Sequence, residues 1–211
     1  MHAIMRFLLL VFSLCFSVSV AFCQVSVGTI IKPGVSTMKN ANGAPSSLRL
    51  EKKNNGLIAV FSCNTCPFVV GTPDFPGWER QYNELYNYAA ENEIGFVLIN
   101  SNEAKRKGDD SFEKMILHAK EQNYAMSYLL DENASLANFL KAKTTPHVFF
   151  FNNSFRLVYS GSIDNIWKGN RKKDITYLKN AIAFHIKNKK IKPNETSPKG
   201  CSIKRIKKQP N

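Results

Sequence analysis

Two continuous runs of apolar residues mark the first half of the chain. Leu57 to Ser62 follows the turn sequence Asn54-Asn55-Gly56, and Phe96 to Ile99 follows Gly95. Continuous apolar runs of this length, bounded by turn residues, are typical of strands buried on both faces of a sheet. Between the two runs the apolar residues recur at helical spacing on one face, namely Trp78, Tyr82, Leu85 and Ala89. The pattern therefore predicts a strand, a helix and a second strand.

The second half continues the alternation of helices and strands and then closes with a hairpin. Asp110-Ser111 is a helix N-cap signal. The predicted elements after it are a helix with Phe112, Met115, Ile116 and Ala119 on one face, a short apolar run Tyr128 to Leu130, a short helix over 135–141, a hairpin of His147 to Phe151 with Phe155 to Ser160, and an amphipathic helix marked by Ile175, Leu178, Ile182 and Ile186. Another hairpin is predicted around Asn42-Gly43. This order predicts an α/β fold with a mixed sheet.

The first residues have the pattern of an export signal. Phe7 to Val20 is an apolar run of roughly 14 residues, which is short for a membrane span, and Ala21-Phe22-Cys23 is similar to a signal-peptidase site. We therefore predict a signal peptide over 1–23, a domain over 24–189 and a basic C-terminal tail over 190–211. The predicted location is the periplasm or the cell envelope. A lipid anchor at Cys23 and an uncleaved anchor are the two alternatives.

Composition indicates a folded core, and charge is concentrated at the C-terminal end. Hydrophobic residues make up 44% of the 211 residues, which is enough to bury a core. The formal net charge is +13, and nine Lys or Arg stand against one Glu between Lys187 and Asn211. Such a segment is attracted to an anionic membrane surface or an acidic partner, and the alternative is a solvated tail. Nucleic acid is not expected, because no recognisable nucleic-acid module accompanies the charge.

Cys63 and Cys66 are separated by two residues and directly follow the first predicted strand. A helix that begins near Cys63 would favour its thiolate through unpaired backbone N–H groups, and cysteines in this spacing can have pKa values of roughly 3.5–7.5. The spacing also allows a disulfide that opens and closes without rebuilding the domain. We predict Cys63 as the attacking thiolate and Cys66, further inside, as the resolving thiol. The sequence leaves open whether the pair reduces or oxidises its partner.

Two other interpretations of the cysteine pair are weaker. A static disulfide of this spacing closes too small a loop to constrain much of the chain. A structural zinc site needs four ligands, and beyond the pair only Cys201 and scattered histidines remain. No metal or other cofactor is therefore expected.

Three further residue positions bear on this chemistry. Thr145-Pro146 precedes the predicted hairpin, and a cis bond there would turn the Thr145 backbone outward to pair with an extended substrate beside the sulfurs. His147 has two interpretations, a proton shuttle or an ordinary strand histidine. Cys201 also has two, a third redox thiol that folds back toward Cys63 or a surface thiol on the tail.

Five segments occur in an order that is specific for one group of proteins: FSCNTCPFV, FVLINSNEAKRKGDDSFEKM, YLLDENASLANFLKAKTTPHVFFF, LVYSGSIDN and GCSIK. On these segments the chain resembles the thioredoxin superfamily, and within it the peroxiredoxin-like branch of alkyl hydroperoxide reductase/thiol-specific antioxidant type, over about Val27 to Lys204. The resemblance implies a thioredoxin-like three-layer α/β fold, with a mixed central sheet and helices on both faces. It also implies Cys63 and Cys66 as the redox pair and Pro146 as a cis-proline.

The chain departs from the peroxidase pattern of that branch. Phe61 and Ser62 stand where peroxidases have proline and threonine, and no arginine adjoins Thr144-Thr145-Pro146. We therefore expect an exported thiol–disulfide oxidoreductase that acts on protein or small-molecule thiols and disulfides and works with a separate redox partner. The alternatives are a thiol-dependent peroxidase, with Cys201 resolving, and a non-catalytic binding module docked to a membrane through its basic tail.

Overall fold

The computed structural model describes residues 25–34, 36–167, 169 and 171–206. The predicted signal peptide over 1–23 lies outside these residues. Within the described part of the chain, no helix is both long enough and apolar enough to cross a membrane.

The described residues form seven strands and six α-helices. The strands are β1 (Leu57–Ser62), β2 (Gly95–Asn100), β3 (Ser127–Leu130), β4 (Thr144–Thr145), β5 (His147–Phe151), β6 (Leu157–Gly161) and β7 (Cys201–Ser202). The helices are α1 (Leu48–Glu51), α2 (Pro67–Val70), α3 (Tyr82–Glu91), α4 (Phe112–Glu121), α5 (Ser135–Leu140) and α6 (Tyr177–Ile186). Short 3₁₀ turns precede α3 and α5.

Five strands form one mixed sheet in the order β3-β2-β1-β5-β6. β1 pairs in parallel with β2, and β2 with β3, because helical crossovers join them. β5 runs antiparallel to β6, as a hairpin requires, and it also runs antiparallel to β1. The mixed sheet predicted from the order of elements is confirmed, and β1, the strand that leads to Cys63, lies at its centre.

Helices cover both faces of this sheet, which explains why its central strands are apolar at every position. Ile58 and Val60 point to a core completed by α3, α4 and α6. Leu57, Ala59 and Phe61 point to a second core completed by α1 and α5. Because successive side chains alternate between the faces, only a continuous apolar run can supply both cores. The predicted three-layer arrangement is therefore confirmed.

Two local predictions differ from the structure. The hairpin expected around Asn42-Gly43 is reduced to a single bridge between Met38 and Ser46. The second arm becomes helix α1, because the Ser47 side chain accepts a hydrogen bond from the Leu50 N–H and caps the helix. In α4, Met115 is buried as predicted, whereas Ile116 is 42% exposed.

The C-terminal segment, residues 190–206, packs against the domain instead of extending into solvent as a tail. Ile191 and Ile203 are buried. Beside β6, the N–H of Ser160 donates to the Asn194 carbonyl at 3.1 Å and the Thr196 N–H donates to the Ser160 carbonyl at 3.0 Å. The sequence did not predict this packing because the segment is polar and basic, and its attachment is made mainly by backbone hydrogen bonds, which composition does not reveal.

Candidate active site

The two cysteines follow the carboxyl end of the central strand β1. A turn separates this strand from the next helix, α2. The helix predicted to begin near Cys63 begins at Pro67, so that prediction is wrong: Cys66, not Cys63, is the N-cap residue of α2. Proline is favoured at the first helical position because its missing N–H has no partner to lose there. Helix α2 has only four residues and ends at Gly71, whose φ of 96° is left-handed.

A buried carboxylate explains why Cys63 to Thr65 do not become helical. Asp110 is fully buried and accepts hydrogen bonds from the backbone N–H of Asn64 at 3.0 Å, from Asn100 at 2.7 Å and from Asn102 at 3.0 Å. The Tyr128 hydroxyl donates to the Asn64 side chain at 2.9 Å. These bonds fix the turn between the cysteines. Sequence analysis treated Asp110 only as part of a helix cap and missed this network, since its members come from the turn after β1, from β2 and the loop after it, and from β3.

Thr145 lies directly beside both sulfurs. The Thr145–Pro146 peptide bond is cis, as the resemblance implied. The Cys66 sulfur lies 3.1 Å from the Thr145 carbonyl oxygen, to which it donates a hydrogen bond when it is protonated, and the Cys63 sulfur lies 3.3 Å from the Thr145 hydroxyl. Residues 82 positions apart in the sequence thus form one contact group.

Cys201 completes the group from the C-terminal segment. β7 pairs antiparallel with β4, and Cys201 stands opposite Thr145. Gly200 permits this approach, because a Cβ atom at that position would lie 2.2 Å from the Thr145 carbonyl oxygen. All five residues that sequence analysis selected, Cys63, Cys66, Thr145, Pro146 and Cys201, therefore lie together.

The three thiols differ in how easily they ionise. Hydrogen bonds from the thiols of Cys63 and Cys201, together with one from the Cys201 backbone N–H, outweigh burial and lower the pKa of Cys66 to about 5. The pKa of Cys63 is raised, because its proton is held by the Cys66 sulfur, because it is buried, and because Asp110 is negative. Burial and the neighbouring Cys66 raise the pKa of Cys201 to about 11.

The three thiols also differ in their access to solvent. Cys63 is 1% exposed and Cys66 is 4% exposed, whereas Cys201 is partly exposed. The thiols line a cleft of about 150 Å³ whose rim carries Lys105 and Lys204. A larger cavity of about 650 Å³ lies between residues 32–39 and 130–139, but it is lined by no cysteine or histidine. The small cleft is therefore the candidate site.

His147 is a structural residue in this arrangement. Its Nδ1 accepts a hydrogen bond from the Lys143 N–H at 3.2 Å, and its Nε2 lies 3.2 Å from the Ser160 hydroxyl. Burial lowers its pKa to about 3, so the imidazole is neutral at pH 7. Of the two interpretations given to His147, the geometry favours the ordinary strand histidine. Within the described residues, no group of three or more His, Cys, Asp or Glu side chains has the arrangement of a metal site.

Comparison with known proteins identifies the fold. No protein-family model matches the chain, and no curated protein matches it. An uncharacterized conserved protein from Geobacillus kaustophilus is 26% identical, with 89% of this chain and 96% of that chain covered at a TM-score of 0.72. A hypothetical protein from Sinorhizobium meliloti is 27% identical, with 87% and 96% covered at a TM-score of 0.72.

A third solved structure relates the fold to a named group. A peroxidoxin from Mycobacterium tuberculosis superposes with a TM-score of 0.54 and 13% identity, over 78% of this chain and 98% of that chain. This likeness concerns the fold, and it agrees with the strand order and the two helical layers described above. The chain therefore has a thioredoxin-like α/β fold, as the resemblance implied.

Proposed function

We propose that the protein is a thiol–disulfide oxidoreductase whose redox pair is Cys63 and Cys66. One observation carries the proposal: two cysteines that follow the central strand both contact the same residue, Thr145, and both line one cleft. A pair held this way can close a disulfide without movement of the sheet. The thioredoxin-like fold supports the same conclusion but does not by itself establish an activity.

The reaction is a two-step exchange. In the reducing direction a thiolate of the pair attacks one sulfur of a substrate disulfide, which forms a mixed disulfide and releases the other substrate sulfur as a thiolate. The second thiol of the pair then attacks the mixed disulfide, closes the Cys63–Cys66 bond and releases the first substrate sulfur. Two electrons pass to the substrate, whose two sulfurs take up the protons lost by the pair.

The structure favours Cys66 as the thiolate of the reduced pair. The sequence prediction assigned that role to Cys63 because a helix was expected to begin there. Cys66 instead receives the hydrogen bonds that stabilise a negative sulfur, and Cys63 holds the proton. The substrates we expect remain thiols and disulfides of proteins or small molecules, with a separate redox partner to restore the pair.

Insulin reduction by dithiothreitol tests this function. We expect wild type to accelerate the reaction and Cys63→Ser and Cys66→Ser each to lose the acceleration. Ser154→Ala, in an exposed turn far from the thiols, is the control and should behave as wild type. Equal rates for wild type and both cysteine variants would rule out disulfide exchange. Cysteine-dependent consumption of hydroperoxide without insulin reduction would favour a peroxidase instead.

Export is the second part of the proposal, and its support is the sequence of residues 1–23. A fusion of this segment to alkaline phosphatase, which is active only outside the bacterial cytoplasm, should be active. A fusion that lacks the apolar run from Phe7 to Val20 is the matched control. An inactive fusion with the full segment would count against export. A mass increase of the size of a lipid on the cleaved fusion protein would identify Cys23 as a lipid anchor.

A further inference from the structure

We propose that Cys201 is the thiol through which the buried pair exchanges electrons with its partner, by forming a transient disulfide with Cys66. The inference rests on the proposed function and adds a third catalytic residue to it. It also states the partner's chemistry, a dithiol or disulfide that reaches the protein at Cys201.

The position of Cys201 is the first support. Antiparallel pairing of β7 with β4 sets Cys201 opposite Thr145, the residue that touches both sulfurs of the pair. Cys201 lines the same cleft as Cys63 and Cys66, and its thiol and backbone N–H help to lower the pKa of Cys66. Cys66 therefore has two candidate sulfur partners, Cys63 and Cys201.

Access is the second support. Thiol–disulfide exchange requires the attacking sulfur to reach the sulfur it attacks. At 1% and 4% exposure, Cys63 and Cys66 offer an external sulfur much less surface than Cys201 does. Cys201 is partly exposed and lines the cleft together with Lys105 and Lys204. An external partner meets Cys201 first.

The attachment of the C-terminal segment is the third support, because it argues that Cys201 is a fixed component of the site. The Ala104 N–H donates to the Lys204 carbonyl at 2.8 Å, and the Lys204 N–H donates to the Asn102 side chain at 2.8 Å. The Ile203 N–H donates to the Lys143 carbonyl at 3.1 Å, and the Ile203 side chain is buried. A partner would have to break all of these bonds to lift the segment and reach the pair directly.

The electrostatic surroundings of Cys201 change with the state of the pair. In the reduced protein, the Cys66 thiolate accepts a hydrogen bond from the Cys201 thiol and repels a second negative sulfur, so both effects oppose ionisation of Cys201. When Cys66 is in a disulfide it carries no charge, and both effects vanish. Burial still raises the pKa of Cys201, but the Phe68 backbone N–H and Lys204, which lower it, are then no longer opposed by a neighbouring charge. Cys201 is thus held protonated when the pair is reduced and becomes a better nucleophile when the pair is oxidised.

The proposed steps balance without an added oxidant. The Cys201 thiolate attacks the Cys66 sulfur of the Cys63–Cys66 disulfide; the Cys63–Cys66 bond breaks, the Cys66–Cys201 bond forms, and Cys63 leaves and takes the proton that Cys201 lost. A partner thiolate then attacks the Cys201 sulfur and releases Cys66 as a thiolate. The second thiol of the partner closes the partner's own disulfide and releases Cys201. The same steps in reverse reduce a partner disulfide.

Disulfide mapping after oxidation with oxidised glutathione tests the inference independently of turnover. We expect Cys63→Ser to form a Cys66–Cys201 disulfide in most molecules. Cys66→Ser is the matched control and should form little Cys63–Cys201 disulfide, because Cys66 is the central sulfur. A Cys63→Ser protein that leaves Cys66 and Cys201 unbonded to each other would overturn the proposal.

Kinetics supply the second arm. In Cys201→Ser, oxidation should still close the Cys63–Cys66 disulfide, whereas its reduction by dithiothreitol should slow by at least tenfold. Adding Ser202→Cys to Cys201→Ser places a thiol on the next residue, which faces the opposite side of the strand, and should not restore the rate. An unchanged rate in Cys201→Ser refutes the relay but leaves the oxidoreductase function intact. A wild-type protein that forms no Cys63–Cys66 disulfide refutes the function itself, and the relay with it.

Discussion

The loop that holds Cys63 and Cys66 and the C-terminal segment that holds Cys201 reach the same Thr145 backbone from opposite ends of the chain. The loop is fixed by a fully buried carboxylate and side-chain amides, and its sulfurs are hidden. The segment is fixed largely by backbone hydrogen bonds at the surface, and its sulfur is partly exposed. A thiolate that is stabilised by fixed hydrogen-bond donors becomes enclosed by them, whereas a sulfur that reacts with a partner must be accessible. Different stretches of the chain meet these two requirements here.

The largest expected contrast between the two regions is in thiol ionisation. The pKa of Cys66 is lowered to about 5, whereas that of Cys201 is raised to about 11. Ultraviolet titration of the reduced protein should show one thiolate lost near pH 5, and Cys66→Ser should lack that transition. A first transition only near the ordinary cysteine value of 9.0 would contradict the assignment.

The sign of the accompanying stability change follows from the direction of the Cys66 shift. The folded-state pKa is below the unfolded value, so the contribution of this ionisation is complete above pH 9 and is lost as the pH falls through about 5. The difference in unfolding free energy between reduced wild type and Cys66→Ser should therefore become less favourable to wild type between pH 9 and pH 5. Urea unfolding at both pH values measures it.

Removing the buried carboxylate of Asp110 should strongly destabilise the loop that holds Cys63 and Cys66. Asp110→Ala leaves the Asn64 N–H and two side-chain amides without their acceptor, at a cost of about 3 kcal/mol or more in unfolding free energy. Asp109→Ala removes the exposed neighbouring carboxylate and should cost less than about 1 kcal/mol. Similar losses in the two variants, measured by urea unfolding, would contradict the role given to Asp110.

A methyl group at residue 200 should destabilise the C-terminal segment, by less than the loss of the Asp110 carboxylate destabilises the cysteine loop. In Gly200→Ala the new Cβ meets the Thr145 carbonyl oxygen at 2.2 Å, so the segment must shift, at a cost of about 1–3 kcal/mol. Alkylation of Cys66 should become faster, because the cleft opens. Gly108→Ala is the control, since its Cβ would meet nothing closer than 3.8 Å. Unaltered stability and alkylation in Gly200→Ala would show that the close approach is unimportant.

The smallest expected effect concerns the positive rim of the cleft. Lys204 favours the thiolate of Cys201 through its charge. In Lys204→Gln the alkylation of Cys201 should slow by about threefold or less, because an exposed charge is screened by solvent and salt. Lys190→Gln, on an exposed lysine of the same segment, should leave the rate unchanged. Faster alkylation of Cys201 in Lys204→Gln would show that Lys204 does not favour the Cys201 thiolate.

Much of the fold was predictable because its central strands must be apolar on both faces, and that requirement shows directly in Leu57 to Ser62 and in Gly95 to Asn100. The helices were predictable for the same reason, through the spacing of residues such as Trp78 and Tyr82. The start of α2 was not predictable, because the turn from Cys63 to Thr65 is held by Asp110, a residue 46 positions away from Asn64 in the sequence.

The candidate site divides in the same way. The spacing of Cys63 and Cys66 and the Thr145-Pro146 pair are local signals, and they led to the correct neighbourhood. The order of ionisation within the pair depends on Cys201, on burial and on Asp110, which come together only in three dimensions. Sequence spacing therefore located the two thiols, whereas the surroundings that favour a thiolate at Cys66 are visible only in the structure.

The bonds from Ser160 to Asn194 and Thr196 have a practical consequence for handling the protein. β6 is the last strand of the sheet, and its outer hydrogen-bonding side is covered by residues 28–29 at Leu157 and by residues 194–196 at Ser160. A fragment that stops at Lys189 would uncover the part at Ser160, and uncovered strand edges recruit other chains into intermolecular sheets. Such a fragment should therefore precipitate where the longer protein stays dispersed, so a removable affinity tag belongs beyond Arg205 and not in place of the residues before it.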